Sequence, residues 1–233
     1  MYKKTLLILL ISLFSISISG YGDKESVDPV KVSPQTYKVI LDNDYVRMLE
    51  ISAKPGDRDE MHSHPANTWY AINGSKIRLY STDGSSKDVE ITSGMAKFQD
   101  AVAMHSMENI GDTDLKLIMV ELKDKKPPAI QTSGPDPVKV SPGVYKTLAE
   151  NESFRILEVS MKPGEKNEMH GHPANVYYVL SDWGGTLYTE EGEPKVLKRK
   201  EGMATFQEPV EKHQLENTGD TYIRAILFEL KNK

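Results

Sequence analysis

From Tyr37 onward, apolar and polar residues alternate at period two, in short runs rich in β-branched and aromatic side chains. Such runs read as half-buried strands. The pattern predicts strands at 37–41, 46–53, 60–64, 68–73, 76–81, 88–91, 96–99, 105–109 and 115–122. Turn residues separate them: Asp42-Asn43-Asp44, Lys54-Pro55-Gly56-Asp57, Asn73-Gly74, Asp83-Gly84, Ser93-Gly94 and Gly111-Asp112. Beyond the N-terminal apolar segment, no stretch of useful length keeps a helical period. The expectation is an all-β chain whose many short strands form a sandwich or barrel.

The strand pattern then repeats with an offset of about 108 residues and no gap. Asp28-Pro29-Val30-Lys31-Val32-Ser33-Pro34 returns as Asp136 through Pro142, and Lys54-Pro55-Gly56 as Lys162-Pro163-Gly164. Glu60-Met61-His62-Ser63-His64-Pro65-Ala66-Asn67 returns as Glu168 through Asn175, and Gly111-Asp112-Thr113 as Gly219-Asp220-Thr221. Roughly 46 of 98 aligned positions are identical, which marks a duplication. Each copy is long enough to bury its own core. The predicted organisation is one domain over 28–123, a Pro-rich semi-stiff linker over 124–135 and a second domain over 136–231.

The N-terminus is a separate object. Lys3 and Lys4 precede an apolar stretch from Leu6 to Ile18, followed by small residues at Ser19 and Gly20. That layout predicts a secretory signal peptide over 1–22; the stretch is short and Ser-interrupted for a membrane-spanning helix. A periplasmic or secreted location follows, with no stable membrane association after cleavage. The chain has no Cys, which removes disulfides, thiol nucleophiles and Cys-ligated metals from consideration. Formal charge is −5, and about −7 without Lys3 and Lys4. An acidic surface of this kind argues against a nucleic-acid partner. The basic run Lys195 to Lys200 is interleaved with Glu191, Glu193 and Glu201 and reads as a solvated strand face. Arg47 with Glu50, and Arg155 with Glu158, read as exposed pairs across a strand.

All six histidines fall inside the repeat, as His62, His64 and His105 and then His170, His172 and His213. Alternate residues of a strand share a face, so His62 and His64 point the same way, with backbones roughly 6.6 Å apart. Two imidazoles can then lean onto one ion. His105 returns about 41 residues later, far enough for barrel closure to bring it beside the pair. Histidine is the commonest metal ligand, and two matching triads predict two metal sites. Met61 and Met169 lie on the opposite strand face and read as packing.

These residues resemble the cupin family, and the whole chain resembles a bicupin. The family's first motif is matched by Gly56, His62 and His64, and by Gly164, His170 and His172. Its second is matched by Gly94, His105 and Asn109, and by Gly202, His213 and Asn217. The resemblance implies two tandem jelly-roll barrels packed face to face about a pseudo-twofold axis. It departs in two respects. Where the family places a glutamate ligand the chain has Thr68 or Trp69 and Val176 or Tyr177, leaving a three-His set. The Pro and Gly of the second motif are replaced by Asp100 and Val102, and by Glu208 and Val210.

A neutral three-His shell leaves a divalent ion its full charge and several open positions, which suits catalysis. The ion is expected to be Fe, Mn, Ni, Cu or Zn. Glu60 and Glu168 are candidates to replace the lost carboxylate or to orient a ligand, with an ordinary surface Glu as the other reading. Gln99 and Gln207 share strand parity with the third His and are candidates to reach the pocket. Tyr70 and Tyr178 are expected to face inward, as wall or acid. Differences between the two pockets are expected at Thr68 against Val176, Arg78 against Thr186 and Met104 against Lys212.

Two functional classes follow. One is a metal-dependent enzyme, of oxygenase or isomerase type, acting on a small molecule. The other is a non-catalytic envelope protein that binds a small ligand or uses the metal structurally. Fold does not decide between them, and assembly into a homo-oligomer stays open.

Overall fold

The computed structural model describes residues 26–127 and 134–231. The signal segment expected over 1–22, and the middle of the expected linker, lie outside the described residues. Among them, no helix is long and apolar enough to cross a membrane.

The first copy opens with a single helical turn, α1 (Pro29–Val32), absent from the expectation. Asp28 caps it by accepting from the Val30 N–H at 3.1 Å, and Pro occupies the first helical position. Nine strands follow: β1 (Tyr37–Asp42), β2 (Val46–Ala53), β3 (His62–His64), β4 (Asn67–Asn73), β5 (Ser75–Ser81), β6 (Ser86–Ile91), β7 (Ala96–Gln99), β8 (Val102–Asn109) and β9 (Leu115–Leu122). The second copy repeats the order as α2 (Pro137–Val140), β10 (Tyr145–Glu150), β11 (Phe154–Met161), β12 (His170–His172), β13 (Asn175–Val179), β14 (Trp183–Thr189), β15 (Lys195–Arg199), β16 (Ala204–Gln207), β17 (Val210–Glu216) and β18 (Ile223–Leu230).

Each copy folds these strands into two antiparallel sheets. In the first, the order is β1-β2-β9-β4-β7 against β3-β8-β5-β6; in the second, β10-β11-β18-β13-β16 against β12-β17-β14-β15. The interior of the first barrel is filled by Leu49, Ile51, Trp69, Ala71, Leu117 and Met119 from the larger sheet, meeting Ile77, Ile91 and Met107 from the smaller. The second barrel packs Leu157, Val159, Tyr177, Val179 and Leu227 in the same way. Motif glycines Gly56, Gly94, Gly164 and Gly202 all turn with φ between 77° and 84°, a backbone that a Cβ strains. Asn109 and Asn217 staple neighbouring loops. The Asn109 amide donates to the carbonyls of Ala53 and Thr113, and Asn217 donates to those of Met161 and Thr221.

The larger sheets also face each other. Val46, Met48, Tyr70, Ile118 and Val120 on the outer face of the first meet Phe154, Ile156, Val176, Tyr178, Ile226 and Phe228 on the outer face of the second, in one continuous core. Phe98 stacks on Phe154 with centroids 6.2 Å apart, and Tyr45 on Phe206 at 5.4 Å. Contacts are reciprocal: Tyr178 lies beside Glu50 of the first copy and Tyr70 beside Glu158 of the second. Reciprocity of this kind is what a twofold relation between copies produces. The face-to-face packing expected from the resemblance is therefore present.

This packing corrects three expectations. Tyr70 and Tyr178 do not face the histidines, because the Pro65-Ala66 and Pro173-Ala174 segments break the strand and reset its parity. Both hydroxyls sit at the seam between barrels, where burial, then the facing glutamate, raises each phenol's pKa, that of Tyr178 to about 12. Thr68 and Val176 share that outward parity and line neither barrel cavity. Arg47 and Arg155 are not exposed pairs with Glu50 and Glu158, since they point inward with Leu49 and Leu157.

Candidate metal centres

The three-residue strand β3 pairs with β8 so that His62 lies opposite His105, while His64 lies opposite Val102. The shift is a bulge, and bulges re-aim side chains. It brings all three rings to one point: centroid separations are 4.8 Å for His62 and His64, 4.4 Å for His62 and His105, and 5.5 Å for His64 and His105. The second copy repeats the bulge, with His170 opposite His213 and His172 opposite Val210. There the separations are 4.8, 4.6 and 5.1 Å. The potential ligand atoms of each triad lie within 4.8 Å of one another.

Which nitrogen faces the centre is set by what the other one bonds. His62 Nδ1 donates to the Glu60 carbonyl at 2.7 Å, and His170 Nδ1 to the Glu168 carbonyl at 2.6 Å. His64 Nδ1 donates to Glu121 Oε1 at 2.7 Å, and His172 Nδ1 to Glu229 Oε1 at 2.6 Å. His105 Nδ1 donates to the Ala103 carbonyl at 3.1 Å. Carbonyls and carboxylates only accept, so each of these Nδ1 atoms carries the proton and each Nε2 is left with a lone pair. The lone pairs converge: Nε2 of His62 and His64 are 3.1 Å apart, and Nε2 of His170 is 3.0 Å from that of both His172 and His213. In the first barrel three such acceptors face one point and repel unless a cation occupies it; in the second, His170 and His172 do the same and His213 brings its Nε2 to the same point. The donor set fits a divalent metal in both barrels.

Electrostatics agree. Burial, reinforced by the neighbouring rings, pushes His105 and His170 down to about 4 and His213 well below its ordinary value. Rings that resist protonation remain available as ligands at neutral pH.

Behind the ligands stands a buried chain that the sequence reading did not reveal. Burial would raise the carboxyls of Glu121 and Glu229, but hydrogen bonds from histidine and arginine outweigh it and hold both below the ordinary range. Glu121 Oε2 accepts from Arg47 Nε at 2.6 Å, and Arg47 reaches Asp28 at 3.0 Å. The second barrel repeats this with Glu229, Arg155 and Asp136, at 2.5 Å and 2.6 Å. Partners of this kind fix the ring and raise its basicity toward a metal. Tyr37 and Tyr145, also unanticipated, place their hydroxyls 3.1 Å and 3.0 Å from Nε2 of His62 and His170.

Glu60 and Glu168 are exposed, and their carboxylates are not part of either cluster. What they contribute is the backbone carbonyl that orients the first histidine. Gln99 and Gln207 do reach the mouths of the two cavities, and Gln99 accepts from the Trp69 indole at 3.2 Å. The first cavity is floored by His64, His105 and Tyr37 and flanked by Lys87 and Lys97; the second by His172, His213 and Tyr145 and flanked by Arg199. Arg78 bonds Asp88 on the outside, Lys212 pairs with Glu190, and Met104 lines a different surface hollow. The cavities differ instead where Ile91 of the first is matched by Arg199 of the second, and where Trp183 lines the second at the position Ser75 holds in the first copy; behind them, buried Asp59 is matched by Asn167.

No model of a known protein family and no curated protein matches the chain. Solved structures do. An oxalate decarboxylase variant from Bacillus subtilis aligns with a TM-score of 0.58 at 14% identity, over 89% of this chain and 72% of that one. A structure from a study of the Mn(II) centres of the same decarboxylase aligns at 0.57 and 13%, over 88% and 72%. An oxalate decarboxylase from Lactobacillus farciminis, as a formate complex, aligns at 0.54 and 15%, over 82% and 78%. At such identities the likeness shows the fold alone: two tandem barrels of the bicupin kind, each of which here carries a group of three histidines able to hold a metal ion.

Proposed function

We propose that the chain is an exported, metal-dependent enzyme of oxygenase type that acts on a small molecule at its three-histidine centres. The observation that carries the reading is the convergence of three histidine rings in each barrel, with the Nδ1 protons of His62, His64 and His105, and of His170 and His172, directed away from the centre. His62, His64 and His105, and His170, His172 and His213, would hold a divalent ion of Fe, Mn, Ni, Cu or Zn. Such an ion supplies Lewis acidity and, if redox-active, electrons. The residues around it do the rest. Glu121 and Glu229 hold a ligand ring in one tautomer, the apolar barrel wall excludes water, and Gln99 and Gln207 offer polar groups at the mouth. A small carboxylic acid is the first substrate class to examine, since the fold neighbours are oxalate decarboxylases and basic side chains flank both mouths. Export rests on the Lys3-Lys4 and Leu6–Ile18 pattern and is tested by N-terminal sequencing of protein recovered from the periplasm or medium.

The deciding experiment is elemental analysis of the untagged protein beside the His105→Ala, His213→Ala double variant, followed by oxygen-uptake assays on small carboxylic and hydroxy acids. About two equivalents of one redox metal, lost in the variant, with oxygen uptake, is the expected result. No metal after reconstitution with Fe, Mn, Ni, Cu and Zn overturns the reading. Full occupancy without turnover would leave the non-catalytic envelope protein.

A further inference from the structure

The two centres share their ligands, their Glu-Arg-Asp chains and their tyrosines, but not the residue behind the tyrosine. In the first barrel it is Asp59 and in the second Asn167, both buried. Asp59 accepts twice, from the Met107 N–H at 2.5 Å on Oδ1 and from the Tyr37 hydroxyl at 2.7 Å on Oδ2. Asn167 sits in the same place. Its Oδ1 accepts from the Leu215 N–H at 2.8 Å, which fixes the amide's orientation and turns Nδ2 toward Tyr145 Oη at 3.0 Å. A carboxylate oxygen has been exchanged for an amide donor.

Each phenol has one proton to place. Tyr37 gives its proton to Asp59, so the lone pairs of its oxygen are what it shows the histidines. Tyr145 receives a hydrogen bond from Asn167, so its own proton is directed at the other neighbour of its oxygen, the His170 Nε2 edge of the centre, 3.0 Å away. Burial raises the Asp59 carboxyl, while the Met107 N–H and the Tyr37 hydroxyl favour its charged form, so the first centre has beneath it an acidic group that the second lacks. The mouths do not cancel this difference, because both are basic, through Lys87 and Lys97 in the first and Arg199 in the second. In the second barrel Trp183 lines the cavity, and its buried Nε1–H has no hydrogen-bond partner among the described residues. A buried donor without a partner is costly, and a ligand acceptor would remove that cost.

We infer that the two centres have opposite hydrogen-bond polarity. The second, with Tyr145 as donor, takes a small oxyanion such as a carboxylate, while the first, with Tyr37 as acceptor over Asp59, holds a proton-bearing ligand such as water and disfavours anions. The inference rests on metal binding by both triads.

The test uses cobalt(II)-loaded full-length protein, with azide and formate as probes and visible absorption of the metal as the readout. Single-centre proteins come from His105→Ala, which leaves the second site, and His213→Ala, which leaves the first. Cobalt content is measured before any anion is added. We expect the second centre to bind both anions more tightly by about tenfold or more, the scale of one charge-assisted hydrogen bond. Asn167→Asp should abolish that advantage and Asp59→Asn should confer it, each with metal content unchanged. Should one exchange fail to fold, the reciprocal one makes the same comparison. Loaded centres with equal anion affinities, or exchanges that leave them unmoved, overturn the inference alone. Failure of either triad to load cobalt overturns it together with the metal-centre reading.

Discussion

Glu229→Gln isolates the work of a side chain that touches a ligand and no substrate. In the native protein both carboxylate oxygens are used, Oε1 by His172 Nδ1 at 2.6 Å and Oε2 by Arg155 Nε at 2.5 Å. Both partners are donors, and a carboxylate satisfies two donors where an amide of the same shape satisfies one. If the Gln oxygen faces Arg155, its NH2 faces His172. The ring must then accept through Nδ1, which moves the proton to Nε2 and removes the lone pair a metal needs. If the oxygen faces His172, NH2 is set against a guanidinium that keeps only Asp136. Either arrangement weakens the centre.

Loss of an orienting carboxylate of this type lowers metal affinity by about ten- to a hundredfold, or about 1.4–2.7 kcal/mol. The first barrel supplies an internal reference, because Glu121 and its triad are unchanged. Competition of both sites against a chelator should show one native affinity and one reduced, and Glu121→Gln should reverse which site is weak. Circular dichroism confirms folding in each variant. Two unaltered affinities in Glu229→Gln would refute the argument that the carboxylate sets the tautomer of His172.

Two further outcomes follow from burial. Metal-free protein should lose stability as pH falls through the histidine range. His170 is held to about 4 in the folded state, against about 6.5 unfolded. The unfolded chain therefore binds the proton first, and stability is full above pH 6.5 and declines toward pH 4. At 1.36 kcal/mol per pH unit, the loss reaches about 3 kcal/mol for this ring; denaturant titrations at pH 4.5 and 7.5 measure it, and equal stability at the two would contradict the assignment. Phe154→Ala, at the seam between the barrels and 2% exposed, should cost about 3–5 kcal/mol, read from the denaturation midpoint, while both centres remain able to load metal.

The strands were legible because alternation survives wherever one face is buried, and nearly every predicted run falls on an observed strand. The histidine triads were legible from spacing and duplication together. Parity counted through Pro65-Ala66 failed for Tyr70, since alternation carries information only within an unbroken strand. Glu121 escaped because it is separated from His64 by 57 residues and meets it only through closure of the barrel. A signal for it did exist. β9 and β18 are apolar runs that each contain one glutamate in phase with their inward residues, and an acidic residue so placed needs a buried partner. Asp59 was hidden by its neighbour: Glu60 has the parity expected of a ligand, yet its side chain is exposed and its carbonyl does the orienting.

The same strands that build the centres also join the barrels, and this explains their composition. On β2, Arg47 and Leu49 face the barrel interior while Val46 and Met48 lie in the seam. On β9, Glu121 faces His64 while Ile118 and Val120 lie in the seam. A strand with both faces covered cannot alternate apolar with polar; it must be apolar throughout, except where a charge is paired. Hence Val-Arg-Met-Leu in β2 and Leu-Ile-Met-Val-Glu in β9, each with its one inward charge bonded to the other's. A barrel expressed alone would expose Val46, Met48, Ile118 and Val120 beside the strands that carry Arg47 and Glu121. The second copy therefore does more than double the sites: it covers the outer face of the sheet whose inner face holds the first centre's histidine in place.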